Sequence, residues 1–169
     1  VQAIWACVTN GAKVLACGSG PSAAQAQQLA AFCVTGFERE RPELAALALV
    51  PDALWLAAAS TGAGADIAAL ARQVRARGQA GDLLLAITIA GNEPAMLEAV
   101  QAAHERDMTV VALTGRDGGA LATLLRETDV QICVPHDRPA RVREVHALVL
   151  HCLCDGVDAQ LLGEQENPI

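Results

Sequence analysis

Aromatic side chains are nearly missing from this chain: no tyrosine, two phenylalanines and two tryptophans in 169 residues. That removes the stacking surface on which single-stranded nucleic acid is held. It also implies a core of alanine, valine and leucine, which suits helices packed closely on a sheet. Basic charge is scarce, with 12 Lys and Arg against 19 Asp and Glu and a net charge of −7. A field of that sign excludes nonspecific nucleic-acid binding. There is no CxxC pair and no zinc-finger spacing among Cys7, Cys17, Cys33, Cys133, Cys152 and Cys154. Buried, reduced thiols acting as small hydrophobes are expected, as in a reducing cytosol. No uninterrupted apolar run reaches the length of a membrane span, and no signal-peptide pattern is visible. The expectation is a cytoplasmic protein without membrane or direct nucleic-acid partners.

What is present is a rhythm. Short apolar runs at Lys13–Cys17, Leu44–Val50, Asp82–Thr88, Thr109–Thr114 and Val130–Val134 are near-continuous in Ala, Val, Leu and Ile, as strands buried on both faces are. Between them lie helical stretches: Ser22–Thr35, Asp52–Ser60 with Asp66–Arg77, Pro94–Arg106, Ala120–Leu125 and a long final one over Ala140–Leu162. The alternation predicts one α/β domain, residues 1–169, with a doubly wound five-stranded parallel sheet in the flavodoxin-like order 2-1-3-4-5. The opening VQAIWACVTNG reads as part of a helix, so an N-terminal helical segment is expected ahead of Val1. The final helix is apolar on nearly every side over VHALVLHCLC (145–154), which predicts burial all round, with a partner subunit covering it. The charged ERERPE (38–43) reads as a solvated turn.

Ligands of open α/β sheets bind at the carboxyl ends of the strands, so four loops matter: CGSGPS, PDALW, TIAGNEP and TGRDGG. The first fits G-x-G-x-x-A through Gly18, Gly20 and Ala23, a weak dinucleotide signal on its own. The acidic residue that should close the second strand comes only at Asp52, too far along for a nicotinamide site. The better reading is a phosphate cradle, with Ser22 at the helix start capping and donating to an anion. In TIAGNEP, Thr88 ends a strand, Gly91 and Asn92 turn the chain, and Glu93 opens a helix. A carboxylate there answers the helix dipole internally and repels a phosphate. Arg116 of TGRDGG offers a cation, although such turn residues are common.

An aldose–ketose isomerase needs an acid and a base, or a metal, beside the sugar. His146 and His151 lie five residues apart, about 140° around a helix axis, so they do not share a face. His136 follows a strand into the expected cleft, and His104 ends a charged helix and is expected in solvent. A lone histidine on an apolar helix is more often hydrogen-bonded in the core.

The stretches KVLACGSGPSAAQAQQLAA, AGDLLLAIT with IAGN, DMTVVALTGRDGG and VPHDRPARVREVHALVLHCLCD together resemble the sugar isomerase (SIS) domain family, in particular its phosphoheptose isomerase group. Within that group, FERERPELAALAL and VHALVLHCLCDGVDAQLL look closest to the DiaA-type proteins that associate with the replication initiator DnaA. The resemblance implies a homotetramer. Phosphoheptose isomerases hold a catalytic metal with four side chains on the first and last helices of the motif. The matching positions here are Gln28, Phe32, Arg143 and His151, of which only His151 is kept, so no metal and no cofactor is expected. Among phosphate-binding positions the resemblance gives Gly18, Ser19, Gly20, Ser22, Thr88 and Asn92, while Ile89, Ala90 and Glu93 depart from it. The expectation is therefore a non-catalytic, initiator-binding SIS protein using Leu161 and Leu162 near the end of the last helix. The alternatives are a sedoheptulose 7-phosphate isomerase with His151 as surviving acid/base, or a weak sugar-phosphate binder.

Overall fold

The computed structural model describes residues 1–50 and 65–163. The expected helix at 52–60 and the PDALW loop lie outside them. In chain order the elements are α1 (Gln2–Thr9), β1 (Val14–Gly18), α2 (Ser22–Thr35), β2 (Ala46–Ala48), α3 (Ala65–Arg77), β3 (Leu83–Ile87), α4 (Pro94–Glu105), β4 (Thr109–Gly115), α5 (Gly119–Leu124), β5 (Val130–Val134) and α6 (Pro139–Leu162). All five strands are parallel, in the order β2-β1-β3-β4-β5. The predicted order holds, and the switch point falls between β1 and β3.

Strand periodicity divides the core between two faces. Leu15, Cys17, Leu84, Ala86, Val110 and Ala112 point to one face, against Leu70 and Val74 of α3, Met96 and Val100 of α4 and Leu121 of α5. Val14, Ala16, Leu83, Leu85, Ile87, Val111 and Leu113 point to the other, against Ile4 of α1, Leu29 and Cys33 of α2, and Leu150, Leu153 and Val157 of α6. Each leucine fully enclosed in this way contributes roughly 1.5–3 kcal/mol. Burial on both faces holds for β1, β3 and nearly all of β4, but not for the edges. β2 leaves Leu47 exposed, and β5 is open over Val130 and Gln131. An edge strand has a neighbour on one side only, and its composition does not say so.

The last helix is enclosed on one side by its own chain. Its inner face buries Val142, His146, Leu150, Leu153, Cys154, Val157 and Asp158, while Val145, Leu148 and Leu162 stay at the surface. Its own chain therefore covers one side of it. By length and composition the helix could cross a membrane, although Asp155 and Asp158 interrupt its apolar run. Its buried face is nonetheless built into the core and carries an ion pair. Arg41 Nε donates to Asp158 Oδ1 at 2.5 Å, with both side chains about 2% exposed. Arg41 also donates to the carbonyls of Phe32 and Cys33 at the end of α2. The ERERPE stretch is thus no plain solvated turn, since one of its arginines is a buried clamp between α2 and α6. The thiols divide as well: Cys7, Cys17, Cys33 and Cys154 are buried, Cys133 is half-buried and Cys152 is exposed. Burial raises Cys17 and Cys154 to about 12 and Cys7 and Cys33 to about 11, which keeps these four as inert thiols.

Candidate functional site at the carboxyl edge

The turn after β1 runs from a buried strand directly beneath the first turn of α2. A Cβ on Gly18 would lie 2.3 Å from the Ser22 carbonyl oxygen, so glycine is required there by contact. Gly20 takes a positive φ of 51°. The amides expected to face a ligand are partly engaged. Ser22 N–H donates to Ser19 O, Ala23 N–H to Gly20 O and Ala24 N–H to Pro21 O, at 3.0, 3.1 and 3.3 Å. Ser19 N–H donates back to Ile87 O of β3 at 3.1 Å. Ser22 does not cap α2. Pro21 holds the cap position without a side-chain bond, and Ser22 is the first helical residue. Its hydroxyl is fully buried and has no partner.

The loop after β3 is closed around a carboxylate. Glu93 Oε2 accepts from Thr88 Oγ1 at 2.5 Å and from Asn92 N–H at 3.1 Å, and Glu93 Oε1 accepts from Ser19 Oγ at 3.4 Å. Thr88 Oγ1 in turn accepts from Gly91 N–H at 3.0 Å. Glu93 therefore gathers the hydroxyls of both loops that would otherwise face an anion. Asn92 is committed too: its Oδ1 accepts from Ala120 N–H at 2.8 Å, at the start of α5. The loops after β3 and β4 fit glycine to backbone. A Cβ on Gly91 would meet Gly118 O at 2.0 Å, and one on Gly119 would meet Ala90 O at 2.3 Å. Beside them opens a cleft of about 400 Å³ lined by Asn92, Arg116, Asp117, Pro135, His136 and Asp137. Arg116 and His136 enter it as the sequence allowed, with His136 Nδ1 accepting from Arg138 N–H at 3.0 Å.

The four histidines have four separate fates. His104, expected in solvent, is buried with Nε2 at 2.7 Å from Asp129 Oδ2. Asp129 also accepts from the amides of Val110 and Arg126, so this is a structural post at the amino edge of β4. His146 is fully buried and donates through Nε2 to Thr114 O at 2.9 Å. Burial lowers its pKa, and the bond to Thr114 only partly opposes that. His136 lines the cleft. His151 lies between Phe32 and Phe37, with ring centroids 5.9 and 5.2 Å away, and the two phenyl rings are 4.9 Å apart. Its Nε2 is buried without a partner.

The metal implied by the resemblance does not fit this donor set. Of the four matching positions, Phe32 has no lone pair and Arg143 is a cation, leaving the His151 imidazole and the neutral amide oxygen of the exposed Gln28. Zinc takes four donors, or three and a water. Among the described residues no group of three or more His, Cys, Asp or Glu could hold a metal ion.

Leu161 packs against the core, and Leu162 is 40% exposed at the end of α6. The SIS-domain family model matches residues 1–115. A phosphoheptose isomerase of Methylibium petroleiphilum is 58% identical over 98% of this chain, and the match spans 82% of that protein. The solved phosphoheptose isomerase of Neisseria gonorrhoeae superposes with a TM-score of 0.86 at 47% identity, covering 94% of this chain and 82% of its own. That of Francisella tularensis gives 0.87 at 41% identity, covering 93% and 82%. These matches overturn the expectation of a DiaA-type partner of DnaA, since relatives of this identity are named as phosphoheptose isomerases. The initiator-binding role of Leu161 and Leu162 goes with it. Short stretches such as FERERPELAALAL and the last helix suggested that assignment, and near-complete coverage outweighs them. The chain belongs to the phosphoheptose isomerase family of SIS-domain proteins.

Proposed function

We propose that this protein is a sugar-phosphate isomerase of the phosphoheptose type, acting on sedoheptulose 7-phosphate at the carboxyl edge of the sheet. The observation that carries the reading is 58% identity sustained over 98% of the chain with a phosphoheptose isomerase. Gly18, Gly20 and Ser22 in the turn after β1 support it, with Thr88 as a substitute hydroxyl and Asn92 in the turn after β3, as does the partnerless buried hydroxyl of Ser22, a donor without an acceptor. In this reading the phosphate end approaches the turns after β1 and β3, and the sugar extends toward His151 or the cleft of Arg116 and His136. Isomerisation moves a proton between adjacent carbons and needs a group to carry it. His151, with Nε2 uncommitted, is the side chain assigned to that task. The full chain incubated with sedoheptulose 7-phosphate should convert it to the aldose phosphate, followed by NMR, and His151→Ala should abolish conversion.

A second reading, binding without conversion, is favoured by the phenyl ring of Phe32 and the carboxylate of Glu93 where the site would need donors. Ligand that binds only the folded state stabilises it by mass action, so even millimolar affinity registers as a thermal shift. Stabilisation without turnover selects this second reading. Neither stabilisation nor turnover would sink both.

A further inference from the structure

Three contacts close the seam between α6 and α2 with the segment that follows it, spaced along α6 about two helical turns apart. At the first, Gln25 Nε2 donates to Arg143 O at 2.8 Å. At the second, Phe32 and Phe37 pack on the ring of His151. At the third, Arg41 joins Asp158 while holding the carbonyls of Phe32 and Cys33. The third contact fixes the second, because the same arginine that pairs with α6 holds the backbone of Phe32. The chain has two phenylalanines in all, and both are placed here.

We infer that this seam is an aromatic plug in place of a metal centre, and that the protein handles its ligand without a divalent cation at His151. Phe32 and Arg143 set the exclusion. The phenyl ring fills the volume beside the imidazole with atoms that cannot coordinate, and Arg143 puts a cation at a position where the site would need a donor. His151 Nε2 remains uncommitted and Gln28 supplies at most a neutral amide oxygen, so the seam is at least two donors short. Restoring the full donor set at positions 28, 32 and 143 should therefore create a metal site in this fold. The inference concerns metal content and stands apart from the isomerase reading, which turnover tests.

The test is zinc binding by the full chain, read by elemental analysis after dialysis against zinc chloride. The wild type and His151→Ala should hold the same zinc, expected near none, and the melting temperature of the wild type should not move with EDTA. Zinc that both proteins hold equally lies elsewhere and counts for the proposal. About one zinc per chain in the wild type, lost in His151→Ala, would overturn it whatever the activity assay shows. The triple variant Gln28→His, Phe32→Glu, Arg143→Gln should gain a zinc that is lost again on adding His151→Ala. If that variant folds by circular dichroism and gains none, the assignment of Phe32 and Arg143 as the excluding residues is wrong. If it does not fold, the wild-type comparison decides alone.

Discussion

Glu93 shows how much one side chain can redirect a site. Its carboxylate takes the hydroxyl of Thr88, the amide of Asn92 and the hydroxyl of Ser19, so an incoming phosphate meets a resident anion. Two unit charges about 4 Å apart at a protein surface repel by about 4 kcal/mol at an effective dielectric of 20. Replacing Glu93 by serine is expected to tighten sugar-phosphate binding by tenfold or more, about 1.4 kcal/mol or greater, measured by isothermal titration. Unchanged affinity would place the phosphate elsewhere. The repulsion was legible from the sequence, because a Glu-Pro pair after a glycine turn opens a helix. That the same carboxylate collects Ser19 from the loop after β1, 74 residues away, was not. Ser22 marks the opposite case. Residue type and position predicted a cap, and the close approach of Gly18 to the Ser22 carbonyl instead starts the helix at the serine itself.

Among elements, the joint of α2 with α6 matters most. Asp158 is 1% exposed and has one partner, Arg41. Asp158→Asn leaves a guanidinium buried without its counter-charge, and removing one member of such a pair costs about 3–5 kcal/mol. Urea denaturation should show that loss, together with loosened packing at Phe37. A loss below about 1 kcal/mol would mean that the guanidinium reaches water without its partner. Sequence reading could not find this pair. Arg41 sits in a run of charges, and its partner lies 117 residues later in an apolar helix. His104 and Asp129 eluded it for the same reason. The strands, by contrast, were legible because each central one is apolar on both faces. The ends differ strand by strand: β5 matches, β1 moves on by one residue, β4 extends to Gly115, β3 shortens to Leu83–Ile87, and β2 keeps only Ala46–Ala48 of the predicted seven residues.

Across the whole molecule, His146 ties stability to pH. Its folded pKa lies below the ordinary value of 6.5 because burial disfavours the charged ring. As pH falls past about 6.5 the unfolded imidazole takes up a proton before the folded one does. The stabilisation from this residue is complete above that pH and is lost as pH falls on through the lower folded value. Urea midpoints at pH 7.5 and 5.5 should show the wild type losing more stability than His146→Gln, whose amide can still donate to Thr114 O but does not titrate. Equal losses would assign the acid sensitivity to other groups. The same scale shows what the paired loops imply. Gly91 is shaped to Gly118, and Gly119 to Ala90, so neither loop can accept a larger residue at the contact unless the other changes with it. Chains descended from this architecture would then have to alter the two loops in concert, and their lengths would stay fixed. New ligand preference would come one side chain at a time, at the positions that contact leaves free: Ile89, Glu93, Arg116 and Asp117.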